Sequence, residues 1–233
     1  MENLDEVEIR KFEALAARWW DPDSEFKPLH EINPLRVNYI SQKFNFAGKA
    51  VLDIGCGGGI LAEAMSHHGA KVTAIDLADA SLAVAKLHQI ESKLEIDYRR
   101  ISAEQLAVNE PQKYDLVTCL EMLEHVPSPA SIVQACHDLV KPGGTVFFST
   151  INRNPKSYLF AIIGAEYALN LLPRGTHDYA RFIEPSELDA WCRLSGLDLQ
   201  DMIGMGYNPF TKTYFMEVNL DVNYLACYKR SAE

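Results

Sequence analysis

Hydrophobic positions follow a helical period in the N-terminal part of the chain. From Phe12 onward, apolar side chains recur at i, i+3, i+4 and i+7, which predicts an amphipathic helix over residues 4–20. Asn33 followed by Pro34 is typical of a helix start, with an N-cap and a proline in the first turn. We therefore expect a second helix to begin there. The two helices would form an N-terminal cap over residues 1–48.

After Gly48 the period changes, and short apolar runs alternate with helical segments. The predicted strands are 50–54, 71–76, 94–101, 114–120, 144–151, 197–204 and 221–229, with helices over 59–68, 79–92, 129–140 and 184–196. Strands separated by helices of this length indicate βαβ units and a mostly parallel sheet. The predicted fold class is α/β: a Rossmann-like, mostly parallel, seven-stranded sheet flanked by helices, in a single domain over residues 1–233.

Residues 155–180 interrupt this alternation after the fifth strand and form a predicted insert, or lid. The insert is unusually apolar, yet it is too short and too polar to span a bilayer. One interpretation is an interfacial helix that contacts a membrane surface through residues 156–174. The other is a helix that covers the sheet or an oligomer interface.

Composition and charge narrow the class of partner. The formal net charge of −10 disfavours a nucleic-acid partner, because such binding depends on basic side chains meeting phosphates. The five cysteines are widely spaced and odd in number, which indicates reduced thiols rather than a disulfide framework. The acidic N-terminus has no apolar signal segment. We expect a cytoplasmic protein, peripheral at most at the inner face of the membrane.

The segment "VLDIGCGGG" joins the first strand to a helix and predicts a nucleotide site. Glycines at such a turn allow close approach of a ligand to the backbone and to the helix N-terminus. Asp53 precedes the loop, and Asp76 ends the second strand, where an acid can accept hydrogen bonds from ribose hydroxyls. The dinucleotide fingerprint is broken at its third glycine, which is Ile60 here, so NAD is the weaker alternative.

The spacing D-x-G-x-G-x-G resembles the first motif of class I S-adenosylmethionine-dependent methyltransferases. That resemblance implies that the glycine loop faces the amino-acid end of S-adenosylmethionine and that a small residue followed by an acid lies beside its adenine. The cofactor-binding positions it implies in this chain are Asp53, Gly55, Gly57, Asp76, Ala103, Glu104 and Leu120.

The segment "CLEMLEHVP" follows the fourth strand and carries the candidate chemistry on the acceptor side. Glu121, Glu124 and His125 stand at i, i+3 and i+4, and in a helix they would project from one face. They could be a solvated helix turn, a base with its helpers, or a metal site. Their place at the carboxyl edge of the sheet favours a functional role.

Five segments together resemble the ubiquinone biosynthesis O-methyltransferase family over nearly the whole chain: residues 11–36, 51–65, 118–133, 139–188 and 221–225. The resemblance implies O-methylation of a polyprenylated catechol-type phenol and of a demethylubiquinol. It also implies S-adenosylmethionine as cofactor, a divalent metal requirement, Arg36 facing the cofactor's carboxylate, and possible membership of a ubiquinone-biosynthesis complex. Another small-molecule methyltransferase, or a non-catalytic cofactor-binding protein, are the alternatives.

Methyl transfer to a phenol needs activation of the oxygen, because a phenol with a pKa near 10 is a poor nucleophile at neutral pH. His125 could take the proton as a general base. Alternatively, Glu121, Glu124 and His125 could hold a divalent metal such as Mg²⁺, which two adjacent substrate oxygens would chelate. The sequence leaves both possibilities open.

Overall fold

The computed structural model describes residues 3–157 and 179–232 of the protein. Its strands are β1 (Ala50–Ile54), β2 (Lys71–Asp76), β3 (Asp97–Arg100), β4 (Tyr114–Leu120), β5 (Val140–Ile151), β6 (Leu197–Asn208), β7 (Thr213–Glu217) and β8 (Asn223–Arg230). They form one sheet in the order β3-β2-β1-β4-β5-β8-β6-β7. Strands β1 to β5 run parallel, whereas β8 runs antiparallel to both β5 and β6. The α/β class is confirmed.

The described sheet has eight strands, so the expected number of seven is wrong. The additional strand is β7, which pairs antiparallel with the far end of β6 from Gly204 opposite Glu217 to Asn208 opposite Thr213. This hairpin arises because β6 is twelve residues long and continues past the residues that pair with β8. The backbone N–H and C=O groups of that extension form hydrogen bonds with β7, which runs back along it.

Helices cover both faces of the sheet. They are α1 (Glu6–Leu15), α2 (Lys27–Lys43), α3 (Ile60–His67), α4 (Asp79–Ser92), α5 (Ala103–Asn109), α6 (Pro129–Leu139), α7 (Pro155–Ser157 as far as it is described) and α8 (Pro185–Leu194). One hydrophobic cluster packs α5, α6 and α8 on one face, and a second packs α2, α3 and α4 on the other. The sheet is therefore buried on both sides, as expected for parallel strands.

Helix α2 begins at Lys27, so the predicted helix start at Asn33 and Pro34 is wrong. A different proline, Pro28, occupies the first turn, while Pro34 lies inside the helix. An interior proline removes one backbone hydrogen bond, but burial of apolar residues on both sides of it, such as Ile32 and Ile40, holds the helix together. Asn33 is not a cap, since its side chain donates to the carbonyl of Ile60, at 3.2 Å.

Within the described ranges, no helix has both the length and the hydrophobicity needed to cross a membrane. The predicted insert over 155–180, with its proposed membrane contact at 156–174, lies mostly outside those ranges. The two described ends are the helical residues Pro155–Ser157 and a 3-10 turn at Tyr179–Arg181. The function of the insert stays a prediction, as does the division into one domain with a cap.

Candidate functional site

The glycine loop stands at the carboxyl end of β1, where the chain turns into α3. Gly55, Gly57 and Gly59 have φ values of 71°, 51° and 90°, a region that side chains other than glycine rarely adopt. The backbone is also tightly covered, because a Cβ on Gly57 would lie 2.2 Å from the Trp19 ring. The loop thus depends on glycine both for its conformation and for its packing.

A small cavity on one side of Gly55 is lined by a carboxyl group and a guanidinium that each have one buried atom without a hydrogen-bond partner. Asp53 is buried, and its Oδ1 accepts from Thr118 Oγ1 at 2.8 Å. Its Oδ2 and the Nε of the buried Arg36 have no hydrogen-bond partner in the described part of the chain. Leu120 lines the same cavity, whose empty volume is about 470 Å³. Buried polar atoms without partners are costly, and they indicate a place for a polar ligand.

Burial controls the protonation of Asp53. Desolvation raises the pKa of this carboxyl to about 7, although the hydrogen bond from Thr118 opposes the shift. The nearby carboxylate of Asp76 raises this pKa further, and the guanidinium of Arg36 lowers it. A cationic group bound in the cavity would favour the ionised form of Asp53, because an opposite charge lowers a carboxyl pKa.

A larger cavity, with an empty volume of about 900 Å³, lies on the other side of the loop between the sheet edge and α1. Asp76 lines it at the end of β2, and the backbone holds this side chain in place. Its Oδ2 accepts from the Gly57 N–H and its Oδ1 from the Ala78 N–H, each at 2.8 Å. The structure therefore brings Asp76 to the glycine loop, as the sequence predicts.

Ala103 and Glu104 line the far part of the larger cavity, at the start of α5. Ser102 caps this helix, because its Oγ accepts from the Gln105 N–H at 3.2 Å. Glu104 Oε1 accepts from Asn3 Nδ2 at 3.0 Å and from Ser131 Oγ at 2.9 Å. Glu104 thereby joins the N-terminal segment to α6 as well as bordering the cavity.

Glu121, Glu124 and His125 do not share a helical face, because the segment after β4 is not a continuous helix. Glu121 has a φ of 54°, which turns the chain sharply at the end of β4. Only Leu123–His125 form a 3-10 turn. The left-handed residue breaks the i, i+3, i+4 geometry, because that geometry requires continuous right-handed helix. A non-glycine residue in this conformation costs about 1–3 kcal/mol, and such residues concentrate at functional sites.

Glu121 lies between the two cavities and lines both of them. Its Oε1 accepts from Arg36 at 2.5 Å and from Ser149 Oγ at 2.6 Å. Asn223 Nδ2 lies 3.0 Å from Oε1 and 3.1 Å from Oε2. These donors fix the carboxylate of Glu121 in place and connect it to the buried guanidinium of Arg36.

Glu124 points into the protein. It is buried, and its Oε2 accepts from Thr150 Oγ1 at 2.9 Å. Desolvation, and then the charge of Glu121, raise the pKa of Glu124 to about 7, although His125 opposes the shift. Glu124 does not line either of the two cavities described above. Its side chain therefore fixes the turn after β4 from within.

His125 lines the larger cavity and contacts α1. Its Nδ1 lies 2.8 Å from Glu8 Oε2, and the Phe12 ring packs edge-on against the imidazole with centroids 5.2 Å apart. Burial alone lowers the pKa of His125, but the hydrogen bond to Glu8 and the surrounding carboxylates outweigh it, and the net pKa is raised. The same hydrogen bond is the main reason why the pKa of Glu8 falls to about 2.

The expected metal ligands do not fit a shared ion. Across residues 3–157 and 179–232, no three His, Cys, Asp or Glu side chains come together as a metal-holding group. Glu121 binds Arg36, Glu124 binds Thr150 and His125 binds Glu8. Each of the three expected ligands is directed to a different partner.

The N-terminal segment, predicted as a cap over residues 1–48, contacts the glycine loop, and this contact is not predicted from the sequence. Trp19 lies on the glycine loop, and Trp20 Nε1 donates to the Gly58 carbonyl at 2.9 Å. The Trp20 ring also stacks on His88 of α4, with centroids 3.4 Å apart. Together with Glu8, Trp19 lines the larger cavity from this side. The adjacent pair of tryptophans at the end of an amphipathic helix was the only sequence signal for this contact.

Comparison with known proteins agrees with this architecture. A family model described as a methyltransferase domain matches residues 29–201. A ubiquinone biosynthesis O-methyltransferase from Pseudomonas aeruginosa is 65% identical over 232 residues, covering 100% of this chain and 100% of that protein. One from Azotobacter vinelandii is 66% identical over 225 residues, 97% of each chain. Magnesium protoporphyrin IX methyltransferase from Synechocystis with bound SAH has a TM-score of 0.69 at 17% identity, covering 95% of this chain and 94% of its own, which supports the fold.

Proposed function

Because the chain belongs to the family of ubiquinone biosynthesis O-methyltransferases, we propose that it transfers a methyl group from S-adenosylmethionine to a phenolic oxygen. The proposed acceptors are a polyprenylated catechol-type phenol and a demethylubiquinol. The observation that carries the proposal is a pair of cavities, both lined by Gly55 and Glu121. The smaller cavity contains the buried side chains of Asp53 and Arg36, and the larger one is lined by Asp76.

The charged side chains of the two cavities match the two ends of S-adenosylmethionine. In the smaller cavity, the guanidinium of Arg36 would bind the α-carboxylate and the free Oδ2 of Asp53 would bind the α-ammonium. In the larger cavity, Asp76 would accept from the ribose hydroxyls, and Ala103 and Glu104 would border the adenine. Gly55 and Gly57 would let the ligand pass close to the backbone between them. Leu120 would contact the cofactor from the sheet side.

His125 is the proposed general base. When bound, the cofactor supplies an activated methyl carbon, so the protein has to orient the acceptor and remove the phenolic proton. His125 lines the same cavity as Glu121 and Asp76. A raised pKa makes the neutral imidazole a stronger proton acceptor, which suits a phenol better than an unperturbed histidine would. Glu121 is proposed to orient the acceptor, and Glu124 to support the turn.

A divalent ion held by Glu121, Glu124 and His125 stays a prediction that the described geometry does not support. We therefore assign no step to it. Methyl transfer by the purified protein before and after treatment with EDTA tests it directly. Full activity after the treatment would contradict the metal prediction, whereas loss that added Mg²⁺ restores would support it.

The proposed substrate also suggests a location. A polyprenyl tail leaves a bilayer only at high cost, so we propose that the cytoplasmic protein binds peripherally at the membrane surface, through residues 156–174. We also propose that the protein is a member of a ubiquinone-biosynthesis complex. We do not propose nucleic acid as a partner. Flotation with anionic liposomes tests the surface contact, and absence of binding by the intact protein would contradict it.

The activity itself is tested with a panel of acceptors. Purified protein is incubated with labelled S-adenosylmethionine and a polyprenyl catechol, a demethylubiquinol, a carboxylate and an amine. We expect a methyl ether on the two phenolic acceptors only, as identified by mass spectrometry. Methylation of the carboxylate or the amine instead would favour another small-molecule methyltransferase. Binding of the cofactor without any transfer would favour a non-catalytic protein.

A further inference from the structure

Asn3 joins the N-terminal segment to two helices at the edge of the larger cavity. Its Nδ2 donates to Glu104 Oε1 at 3.0 Å and to the Ser128 carbonyl at 2.9 Å, and its Oδ1 accepts from the Ser128 N–H at 2.8 Å. Glu104 lies in the first turn of α5, and Ser128 immediately precedes α6. Asn3 and Glu104 both line the larger cavity, although 101 positions separate them in the chain.

The two hydrogen bonds to Ser128 determine which end of the Asn3 amide faces Glu104. A backbone N–H only donates and a carbonyl only accepts, so the amide oxygen has to face the Ser128 N–H and the amide nitrogen the Ser128 carbonyl. Because Nδ2 carries two hydrogens, it can donate to this carbonyl and to Glu104 at the same time. Reversing the amide would break all three contacts. Asn3 therefore presents only a donor to Glu104.

These contacts occupy one of the two carboxylate oxygens of Glu104. Oε1 accepts from Asn3 Nδ2 at 3.0 Å and from Ser131 Oγ at 2.9 Å, whereas no residue in the described part of the chain donates to Oε2. Each oxygen of a carboxylate has two acceptor sites. Two donors from different elements thus hold the carboxylate by Oε1, and Oε2 is left available to a ligand with a hydrogen-bond donor.

We propose that Asn3 is a positioning residue for cofactor selectivity, which orients Glu104 so that Oε2 accepts a hydrogen bond from the 6-amino group of adenine. The inference rests on the proposed function, in which Ala103 and Glu104 border the adenine of S-adenosylmethionine. The 6-amino group is the donor that adenine offers beside its ring-nitrogen acceptors. A purine without this group leaves Oε2 without a partner, and a 6-oxo purine places a second acceptor against it.

Two ligands that differ only at this position of the purine test the selectivity. One is S-adenosylhomocysteine, which remains when the methyl group has left, and the other is its 6-deamino analogue, with hydrogen in place of the amino group. Titration calorimetry should show that the wild type binds the deamino analogue roughly 10–100-fold more weakly, the range for one hydrogen bond to a charged group. Equal affinities would overturn the inference. Binding of neither ligand would contradict the proposed function, and the inference with it.

Asn3→Ala tests the positioning role through the ratio of these two affinities. The ratio should fall roughly 3–10-fold, the contribution of an ordinary hydrogen bond, because Glu104 loses one of the donors that orient it. A general loss of structure would weaken both ligands alike and leave the ratio unchanged, which would overturn the positioning role. The matched control is Gln134→Ala, which removes an exposed amide from α6 that donates to Asp138 at 3.0 Å. Its ratio should equal that of the wild type.

Glu104→Gln gives a sharper result, because Asn3 determines how the new amide is oriented. Since Nδ2 of Asn3 requires an acceptor, the oxygen of the new side chain should face Asn3 and its NH2 group the purine. This variant should therefore bind the 6-oxo analogue of S-adenosylhomocysteine more tightly than S-adenosylhomocysteine itself. Combined with Asn3→Ala, the preference should shrink, since either end of the amide can then face the purine. The same preference with and without Asn3 would overturn the positioning role.

None of these titrations contains a methyl acceptor, so they separate the inference from the proposed methyl transfer. If the wild type selects the adenine-containing ligand and Asn3→Ala weakens that selection, the role of Asn3 is supported whether or not a phenol is methylated. If a phenol is methylated but the deamino analogue binds as tightly as S-adenosylhomocysteine, the proposed function stands and the role of Asn3 is contradicted.

Discussion

Asp53 should make the stability of the ligand-free protein depend on pH. Its pKa is about 7 in the folded state, against 3.8 for an ordinary aspartate. Between these values the folded state retains a proton that the unfolded state has lost, so stability falls as pH rises, by about 1.4 kcal/mol per pH unit at most. Asp53→Asn removes this dependence. Urea unfolding at pH 5 and pH 8 measures it in both proteins.

The comparison between wild type and Asp53→Asn isolates this group from Glu124, whose pKa is raised in the same direction. We expect the wild type to lose more stability than the variant between pH 5 and pH 8. Equal losses would mean that Asp53 is ionised in the ligand-free protein. The asparagine can still accept from Thr118, so the buried hydrogen bond is kept.

Arg36 should be needed for cofactor binding. Its side chain is 7% exposed and already pairs with Glu121, while its Nε has no described partner. Hydrogen bonds to charged groups contribute about 1.5–3 kcal/mol, so Arg36→Gln should weaken S-adenosylmethionine binding roughly 10–100-fold in titration calorimetry. Arg10→Gln is the control, since Arg10 is 72% exposed on α1. Similar affinities in both variants would contradict the assigned carboxylate contact.

At the residue scale, sequence predicts the parts of the site that stand next to a strand end. Asp53, Gly55 and Asp76 are set by the local strand–turn–helix pattern, and the structure brings them together at one edge. The contact of Glu8 with His125 could not be predicted, because it joins residues 117 positions apart. The left-handed conformation of Glu121 could not be predicted from neighbouring residues either, since hydrogen-bond donors distant in the chain, among them Asn223, hold its side chain.

At the scale of elements, the packing of the tryptophans on the glycine loop gives a further prediction. A Cβ on Gly58 would lie 2.2 Å from the Trp19 ring, and Gly58 has no positive φ. Gly58→Ala therefore perturbs packing without backbone strain. Overpacking of this kind costs about 1–3 kcal/mol, so we expect lower unfolding free energy and weaker cofactor binding, as measured by urea unfolding and calorimetry.

A second substitution makes this test specific. Trp19→Ala removes the ring that the new methyl group would meet, so Gly58→Ala should cost much less in that background. If Gly58→Ala costs the same with and without Trp19, the loop is sensitive for another reason. The comparison thus asks whether the N-terminal segment is fitted to the glycine loop.

Hydrophobic periodicity predicts the bounds of several elements correctly, but it does not predict which apolar residues of a helix are buried. Buried parallel strands such as β1 and β4 have the predicted bounds, because they are continuous apolar runs. Helix α4 also has its predicted length. Two of its apolar residues, Leu87 and Ile90, are nevertheless 66% and 69% exposed. Each lies five residues beyond the buried Leu82 or Ala85, which is about 140° around a helix.

At the scale of the whole molecule, α1 differs from the other long helices in how it is attached. It buries none of its own residues, and side-chain contacts to distant elements hold it in place. These are Glu8 to His125, Asp5 to Arg181 at 2.7 Å, and the preceding Asn3 to Ser128 at 2.8 Å. Elements with few buried apolar contacts open at a lower free energy than the core. Helix α1, which borders the larger cavity, is therefore the least firmly anchored of the long helices that the structure describes.

Hydrogen exchange should reveal this difference. In the free protein, backbone amides of α1 should exchange much faster than those of β4, which is buried through most of its length. S-adenosylmethionine should slow exchange in α1, because a ligand between α1 and Asp76 adds contacts that exist only when the helix is closed. Exchange in the exposed hairpin of β6 and β7 serves as the internal control and should not change. Unaltered exchange in α1 at saturating cofactor would mean that this helix does not cover the bound ligand.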